Sequence, residues 1–259
     1  MGGKLRLVPH LLPMIPEHTC YVEVFGGGAA LLLNKPRSPL EAYNDVDGEL
    51  VNLFEVVRDD VDIFLRRADL LLYSRELFER WKQDLKNGNM PRDRVERAVR
   101  FWYLIRSSFA GKVGHGWGFN RTAPRGLAHS IFSALADIRR VHERLKGVEI
   151  DHLDFRRCID YRDAPSSFLY VDPPYLGTED YRLGKFTLQD HRDLAGLLRN
   201  AESKWLLTVG DRPELRGLYR GFPRRAVRVM ISSEKVIGGK RKPLTNLIIW
   251  NYELPAHGN

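Results

Sequence analysis

The chain has 259 residues, 43% of them hydrophobic and 29% charged, with a formal net charge of +8. That length buries a substantial core as one large domain, or one domain carrying a smaller insertion, and the composition excludes disordered, fibrous and collagen-like classes. No apolar run approaches the roughly 20 residues of a bilayer-spanning helix, so no membrane partner is expected.

The N-terminal segment, broken by Pro9, Pro13 and Pro16 and lacking a small-residue cleavage pattern, reads as mature protein. Cys20–Phe25 reads as a buried strand, Gly26, Gly27 and Gly28 as a turn, and Ala29–Asn34 as a helix. A short strand over Glu41–Tyr43 and a helix over Gly48–Arg58 complete a βαβα pattern, which implies parallel strands. The alternation then stops. Helices are predicted over Val61–Leu72, Ser74–Leu85, Arg92–Ile105 and His129–Lys146, with a loop or hairpin over residues 107–126. After Gly147 it resumes: strands over Val148–Ile150 and Ser167–Val171, helix Leu188–Asn200, strand Trp205–Val209 and helix Pro213–Tyr219. Two last strands, near Arg224–Met230 and Leu244–Tyr252, suggest an antiparallel hairpin at the sheet edge. The expected fold is a doubly wound, Rossmann-like α/β sheet. Residues 1–58 and 147–259 form its catalytic domain, and residues 59–146 a helical insertion with a basic hairpin near 107–126. No repeat of 20–50 residues points to a solenoid or propeller.

The charge is segregated along the chain. Residues 91–146 hold twelve Arg or Lys and four acids, an excess equal to that of the whole chain. Residues 224–242 add seven basic residues against Glu234 alone. Such segregation suits a polyanion such as nucleic acid; a solvated basic face is the plainer alternative. Cys20 and Cys158 give neither a disulfide framework nor zinc spacing, which fits a reducing cytoplasm, and no His/Cys cluster suggests a metal. Trp117, in the hairpin, is the one tryptophan set apart from the expected core.

Two constellations carry chemistry. In the first, glycines 26–28 follow a strand and allow a ligand close to the backbone, while Asp45 ends the next strand, where a carboxylate can accept both hydroxyls of a ribose. Leu31 stands where a dinucleotide fingerprint wants its third glycine, which counts against a nicotinamide or flavin enzyme. In the second, Asp172-Pro173-Pro174-Tyr175 follows the apolar run FLYV and so lies at a strand's C-terminal end, where open α/β sheets bind ligands. The prolines remove two donors. The Asp172 carboxylate and a backbone carbonyl then form an acceptor pair for an exocyclic amine, with Tyr175 as a flat face for a base.

In these motifs and their order the chain resembles, over almost its whole length, the Dam-type DNA adenine-N6 methyltransferases. Met1-Gly2-Gly3-Lys4 resembles the end of that family's N-terminal motif, EVFGGGA (23–29) its cofactor loop, and Asn44-Asp45 its ribose-binding acid. IDHLDFR (150–156), FTLQDHRDLA (186–195) and ISSEKVIGGKRK (231–242) extend the likeness to the C-terminal end. The resemblance implies S-adenosylmethionine as cofactor: Lys4 near its carboxylate end, Phe25 with Gly26, Gly27 and Gly28 along the loop, Asp45 on the ribose, Asp154 near the adenine and Asp172 also among the cofactor-binding residues. It implies double-stranded DNA as substrate, with Arg106, Lys112, Arg121, Arg125, Lys240 and Arg241 as DNA contacts and 59–146 as the target-recognition domain. The hairpin sequence FAGKVGHGWGFN (109–120) departs from the Asn-Gly-Leu-Cys-Arg-like run of members that read GATC. A cognate restriction endonuclease encoded nearby, a monomeric or weakly dimeric state and a cytoplasmic, nucleoid-associated location complete what it implies. Cytosine-N4 or RNA adenine methylation, and a DNA-binding protein without turnover, are the alternatives the residues leave open.

Overall fold

A computed structural model describes residues 4–108, 116–118, 127–177, 183–229 and 244–255. The central strands of the sheet are short, largely apolar runs of the sequence. Cys20–Glu23 (β1) and Ser167–Val171 (β4) pair in parallel, and all five β4 residues are buried, as expected of strands covered on both faces. Leu40–Asn44 (β2) and Val148–Asp151 (β3) extend the parallel sheet on one side, and Lys204–Gly210 (β5) extends it on the other. Leu244–Trp250 (β7) runs antiparallel between β5 and Arg224–Val229 (β6), giving the order β3-β2-β1-β4-β5-β7-β6. The expected antiparallel hairpin is thus present, with its second strand turned inward and β6 at the edge.

The order reverses between β1 and β4, so the chain leaves a crevice beyond their C-terminal ends, where ligands bind in such sheets. Glu23 is in register with Tyr170, and Val24 N–H donates to the Tyr170 carbonyl at 3.1 Å. The glycine loop and the Asp-Pro-Pro-Tyr segment therefore issue side by side.

The chain forms two compact units, Met1–Val46 with Gly147–Asn259, and Asp47–Lys146. The first holds the sheet and the helices Val8–Leu11 (α1), Phe155–Arg162 (α8), Leu188–Asn200 (α9) and Pro213–Leu218 (α10). Its core joins β1, β4 and β5 to α8 and α9 through Val22, Leu169, Leu207, Cys158 and Leu194. The second unit is helical: Gly48–Asp59 (α2), Val61–Asp69 (α3), Arg75–Lys86 (α4), Arg94–Ser107 (α5), Leu127–Ala136 (α6) and Ile138–Leu145 (α7). Asp47, Ser74 and Asp93 cap α2, α4 and α5 by accepting first-turn N–H groups. Helix α2, expected from the sequence to lie with the sheet, packs against α5 and α7 inside the helical unit.

Three local expectations are corrected. No regular helix forms over 29–34. Ala29 adopts a positive φ of 51°, and Leu32 N–H donates to the Glu23 carboxylate at 2.7 Å instead of to a carbonyl four residues back. The helix predicted over 129–146 is two, interrupted at Asp137. Helix α8 has no counterpart among the predicted elements; it is eight residues long and is started by Asp154, which accepts from Arg156 N–H at 2.9 Å.

The local excess of charge over residues 91–146 is partly offset within the fold. Many cations of residues 91–146 are paired inside the helical unit. Arg97 donates to Glu49 at 2.8 Å, Arg139 to Asp62 at 2.9 Å and Arg100 to Asp84 at 3.4 Å, while Arg94 meets Asp60. Over the whole unit Asp47–Lys146, 19 basic residues face 14 acids, an excess of five. Counting along the chain misses partners on α2, α3 and α4.

The Glu23 carboxyl is buried under the glycine loop. Tyr21 OH and Leu32 N–H donate to Oε1 at 2.9 and 2.7 Å, and Oε2 has no partner among the described residues. Burial pushes this carboxyl up to about 7 from the ordinary 4.5. The folded state thus binds the proton more tightly than the unfolded chain, and stability falls as pH rises from the unfolded value to the folded one. The loss is on the order of 3 kcal/mol by pH 7. Glu23→Gln removes this dependence. Thermal melts from pH 4.5 to 8 should show the wild-type Tm falling relative to the variant as pH rises; parallel curves exclude the linkage.

Candidate active site

The site is built at the C-terminal ends of β1, β2 and β4. After β1, Gly26 N–H donates to the Asn44 carbonyl at 2.7 Å, and Tyr43 OH donates to the Gly27 carbonyl at 2.9 Å. Gly27 takes a left-handed φ of 49°, and its N–H donates to Asp45 Oδ2 at 2.8 Å. The Asn44 amide donates to the Val24 and Leu153 carbonyls at 2.9 and 3.1 Å and accepts from Leu153 N–H at 2.9 Å. That amide ties three chain segments together and fixes the loop against β2. A methyl group built on Gly27 meets nothing within 4 Å, so the loop faces open space. A half-buried carboxylate, a bare glycine backbone and that open space are what a ribose hydroxyl pair and a close-lying ligand backbone need. Phe25 stacks on Phe155 with ring centroids 5.4 Å apart, and Phe186 meets both. This gives the loop an apolar flank suited to a purine ring. The residues present therefore fit a nucleoside cofactor.

Asp154 sits next to this flank, but its carboxylate is engaged. It caps α8 and pairs with Arg156, which also holds Asp190 at 2.8 Å and Asp193 at 2.5 Å. The segment IDHLDFR thus has a structural function here, fastening α8 to the start of α9.

Beyond β4, Asp172 and Tyr175 lie together with Lys4. The Lys4 ammonium donates to Asp172 Oδ1, to Tyr175 OH at 2.7 Å and to Thr208 Oγ1 at 3.4 Å, and it lies 4.5 Å from the centre of the Tyr175 ring. Residues 168 positions apart in sequence are joined through one carboxylate. Pro173 is buried and Pro174 half-buried. Burial, and then the neighbouring Asp172 charge, push the Tyr175 phenol far above its ordinary range, so Tyr175 stays neutral. Its face and its hydroxyl, not its ionisation, are available to chemistry.

Two residues of this site, Thr208 and Asn246, lie outside the sequence motifs. Thr208 Oγ1 donates to Asp172 Oδ1 at 2.7 Å, and the Tyr170 hydroxyl lies 3.3 Å from that same Oγ1. Asn246 Oδ1 accepts the Tyr175 hydroxyl hydrogen bond. The available signal was compositional: Thr208 and Asn246 are polar residues inside the apolar runs WLLTVG and LIIW with its preceding Asn.

In the helical unit, Arg106 is exposed in the last turn of α5. The hairpin base is defined by the Ser108–Trp117 antiparallel bridge and by Gly118 N–H donating to the Ser107 carbonyl at 2.8 Å. Trp117 packs on Tyr73 and Phe78, with centroids 4.1 and 5.4 Å apart, so it anchors the hairpin base to α4. Lys112, Arg121, Arg125, Lys240 and Arg241 lie outside the described residues. No group of three His, Cys, Asp or Glu suited to a metal occurs among the described residues, and none of their helices is long and apolar enough to cross a membrane.

Comparison with known proteins points the same way as this geometry. The family model described as D12 class N6 adenine-specific DNA methyltransferase matches residues 1–232. The DNA adenine methylase of Haemophilus influenzae is 24% identical, covering 89% of this chain and 85% of its own. The DNA adenine methylase of Escherichia coli K12 is 25% identical over 95% and 91% of the two chains. A type II methyltransferase of Lactococcus lactis subsp. cremoris is 26% identical over 97% and 93%.

Proposed function

The chain belongs to the D12 class of N6 adenine-specific DNA methyltransferases, and on that footing we propose that S-adenosylmethionine is its methyl donor and that the Asp-Pro-Pro-Tyr end of β4 receives an adenine turned out of duplex DNA. The observation that carries the reading is the convergence of Asp172 and Tyr175 beside the glycine loop at the reversal of strand order.

When bound, S-adenosylmethionine supplies an electrophilic methyl group on a sulfonium centre. Asp45 accepts from the ribose hydroxyls, the glycine loop admits the ligand backbone, and Phe25 with Phe186 flanks the purine. Lys4 is the cation offered to the carboxylate end, and Asp154 borders the purine side. Asp172 and the Pro173 carbonyl accept the two N–H bonds of the exocyclic amine. This aims the nitrogen lone pair away from the acceptors, and both bonds strengthen as the nitrogen gains positive charge. Tyr175 stacks on the base; Pro174 keeps the segment extended. The unit Asp47–Lys146 serves target recognition, with Arg106, Lys112, Arg121 and Arg125 on the duplex, and Lys240 and Arg241 add phosphate contacts from the β6–β7 connection.

Incubation of purified protein with methyl-labelled S-adenosylmethionine and unmethylated plasmid DNA, followed by nucleoside analysis, tests the reading. Labelled N6-methyladenine is the expected product. N4-methylcytosine in its place reassigns the base, label in RNA but not DNA reassigns the substrate, and no incorporation removes the enzymatic reading.

A further inference from the structure

Strands β5 and β7 are apolar sequences with two fully buried polar interruptions. Thr208 is 0% exposed and Asn246 1% exposed. A valine and a leucine would fill these positions without polar atoms to satisfy. The two residues nonetheless share one face of the sheet: Thr208 is paired with Ile248 and Gly210 with Asn246, and directly paired antiparallel residues point the same way with a period of two. On that face each uses its polar atom on one member of the Asp-Pro-Pro-Tyr segment. Thr208 donates to Asp172 and Asn246 accepts from Tyr175. Satisfaction of its own groups does not explain the asparagine, because its Nδ2 has no partner among the described residues.

We propose that Thr208 and Asn246 are positioning residues for methyl transfer, Thr208 fixing the Asp172 carboxylate and Asn246 the Tyr175 ring; this rests on the adenine-methylation reading above. Residues 172–175 are irregular chain beyond the end of β4. A rigid antiparallel strand pair at their back holds the acceptor and the stacking face in a fixed mutual geometry, as a site built on strands does better than one built on a loop. Neither residue touches the reacting atoms. Their effect passes through Asp172 and Tyr175, and a misplacement of about 1 Å at a transfer site lowers rates by about 10²-fold.

The test is steady-state methyl transfer to unmethylated plasmid DNA by wild type, Thr208→Val, Thr208→Ser and Asn246→Leu, with cofactor affinity by calorimetry and Tm measured in parallel. Thr208→Val and Asn246→Leu are expected to lower kcat about 10- to 100-fold, with cofactor Kd and KM for DNA within about threefold of wild type. Thr208→Ser restores the hydroxyl and most of the rate. Tyr175→Phe removes the Asn246 hydrogen bond from the other side, together with the one from Lys4, and is expected to lower kcat at least as much as Asn246→Leu; it carries the comparison if that variant does not fold. Decreases smaller than about threefold, a failure of serine to recover the rate, or losses that track cofactor affinity and Tm overturn the proposal. Wild-type protein that transfers no methyl group overturns the underlying reading instead, and the proposal with it.

Discussion

Asp172→Asn lowers methyl transfer by about 10³-fold while leaving the fold intact. Among the described residues, two donors reach Asp172, Thr208 Oγ1 and the Lys4 ammonium, and both converge on Oδ1. An asparagine accordingly keeps its carbonyl oxygen at that position and turns its NH2 toward the other. The carboxylate's second acceptor becomes a donor, which opposes the N–H bonds of an incoming amine. The negative charge that faces the nitrogen as it becomes positive is also lost. Stability changes little. The asparagine keeps the carbonyl oxygen on which both donors converge, and the Lys4 side chain, 29% exposed, remains open to solvent once the opposite charge is gone. Initial rates with labelled cofactor, read beside a thermal melt, decide the matter. A variant that melts as wild type does and transfers methyl within tenfold of it shows that another group accepts the amine.

The parts of the site that could be read from sequence are those whose elements are contiguous. A strand, a glycine turn and a strand-end carboxylate lie within residues 20–45, and FLYV runs directly into Asp172-Pro173-Pro174-Tyr175. Apolar runs of that length between turn residues specify buried parallel strands, and the end of such a strand is where chemistry collects. What depends on distant pairing was not legible. Thr208 and Asn246 lie 36 and 71 residues from the side chains they hold, and only the antiparallel placement of β7 against β5 brings them there. The same reason explains the charge. Glu49, Asp60 and Asp62 neutralise arginines of α5 and α7 across 34 to 77 residues, which a window along the chain cannot see. The absent helix after Gly28 is a competition between local propensity and one buried carboxylate. Glu23 captures Leu32 N–H, and the left-handed Ala29 keeps the chain from entering a regular helix.

Gly26→Ala carries the second large effect, and on the opposite axis: it damages the fold of the cofactor loop first and activity through it. A methyl group on Gly26 falls 2.5 Å from Cζ and 2.6 Å from Cδ2 of the Tyr43 ring, distances that real side chains do not adopt. Relief requires the ring or the loop to move, and both are held. Tyr43 is 0% exposed on β2, and its hydroxyl is bonded to the Gly27 carbonyl. The loop is bonded in turn through Gly26 N–H to Asn44, whose amide also grips Val24 and Leu153. Overpacking at such a point destabilises by about 3 kcal/mol, a Tm decrease of roughly 6–12 °C for a chain of this size. Because the displaced segment presents Gly27 N–H to Asp45, cofactor affinity falls with it. Gly27→Ala is the control. Its φ of 49° imposes about 1–2 kcal/mol of strain, but its methyl group meets nothing within 4 Å, so the Tm decrease is the smaller one. Tyr43→Leu distinguishes a clash from a general intolerance of the loop. Shortening the side chain relieves the contact, so Gly26→Ala adds less to Tyr43→Leu than it does to wild type, and the shortfall in a double-mutant cycle measures the clash. Equal effects at positions 26 and 27, or strict additivity with Tyr43→Leu, place the origin of the glycine requirement elsewhere than in the ring beneath it.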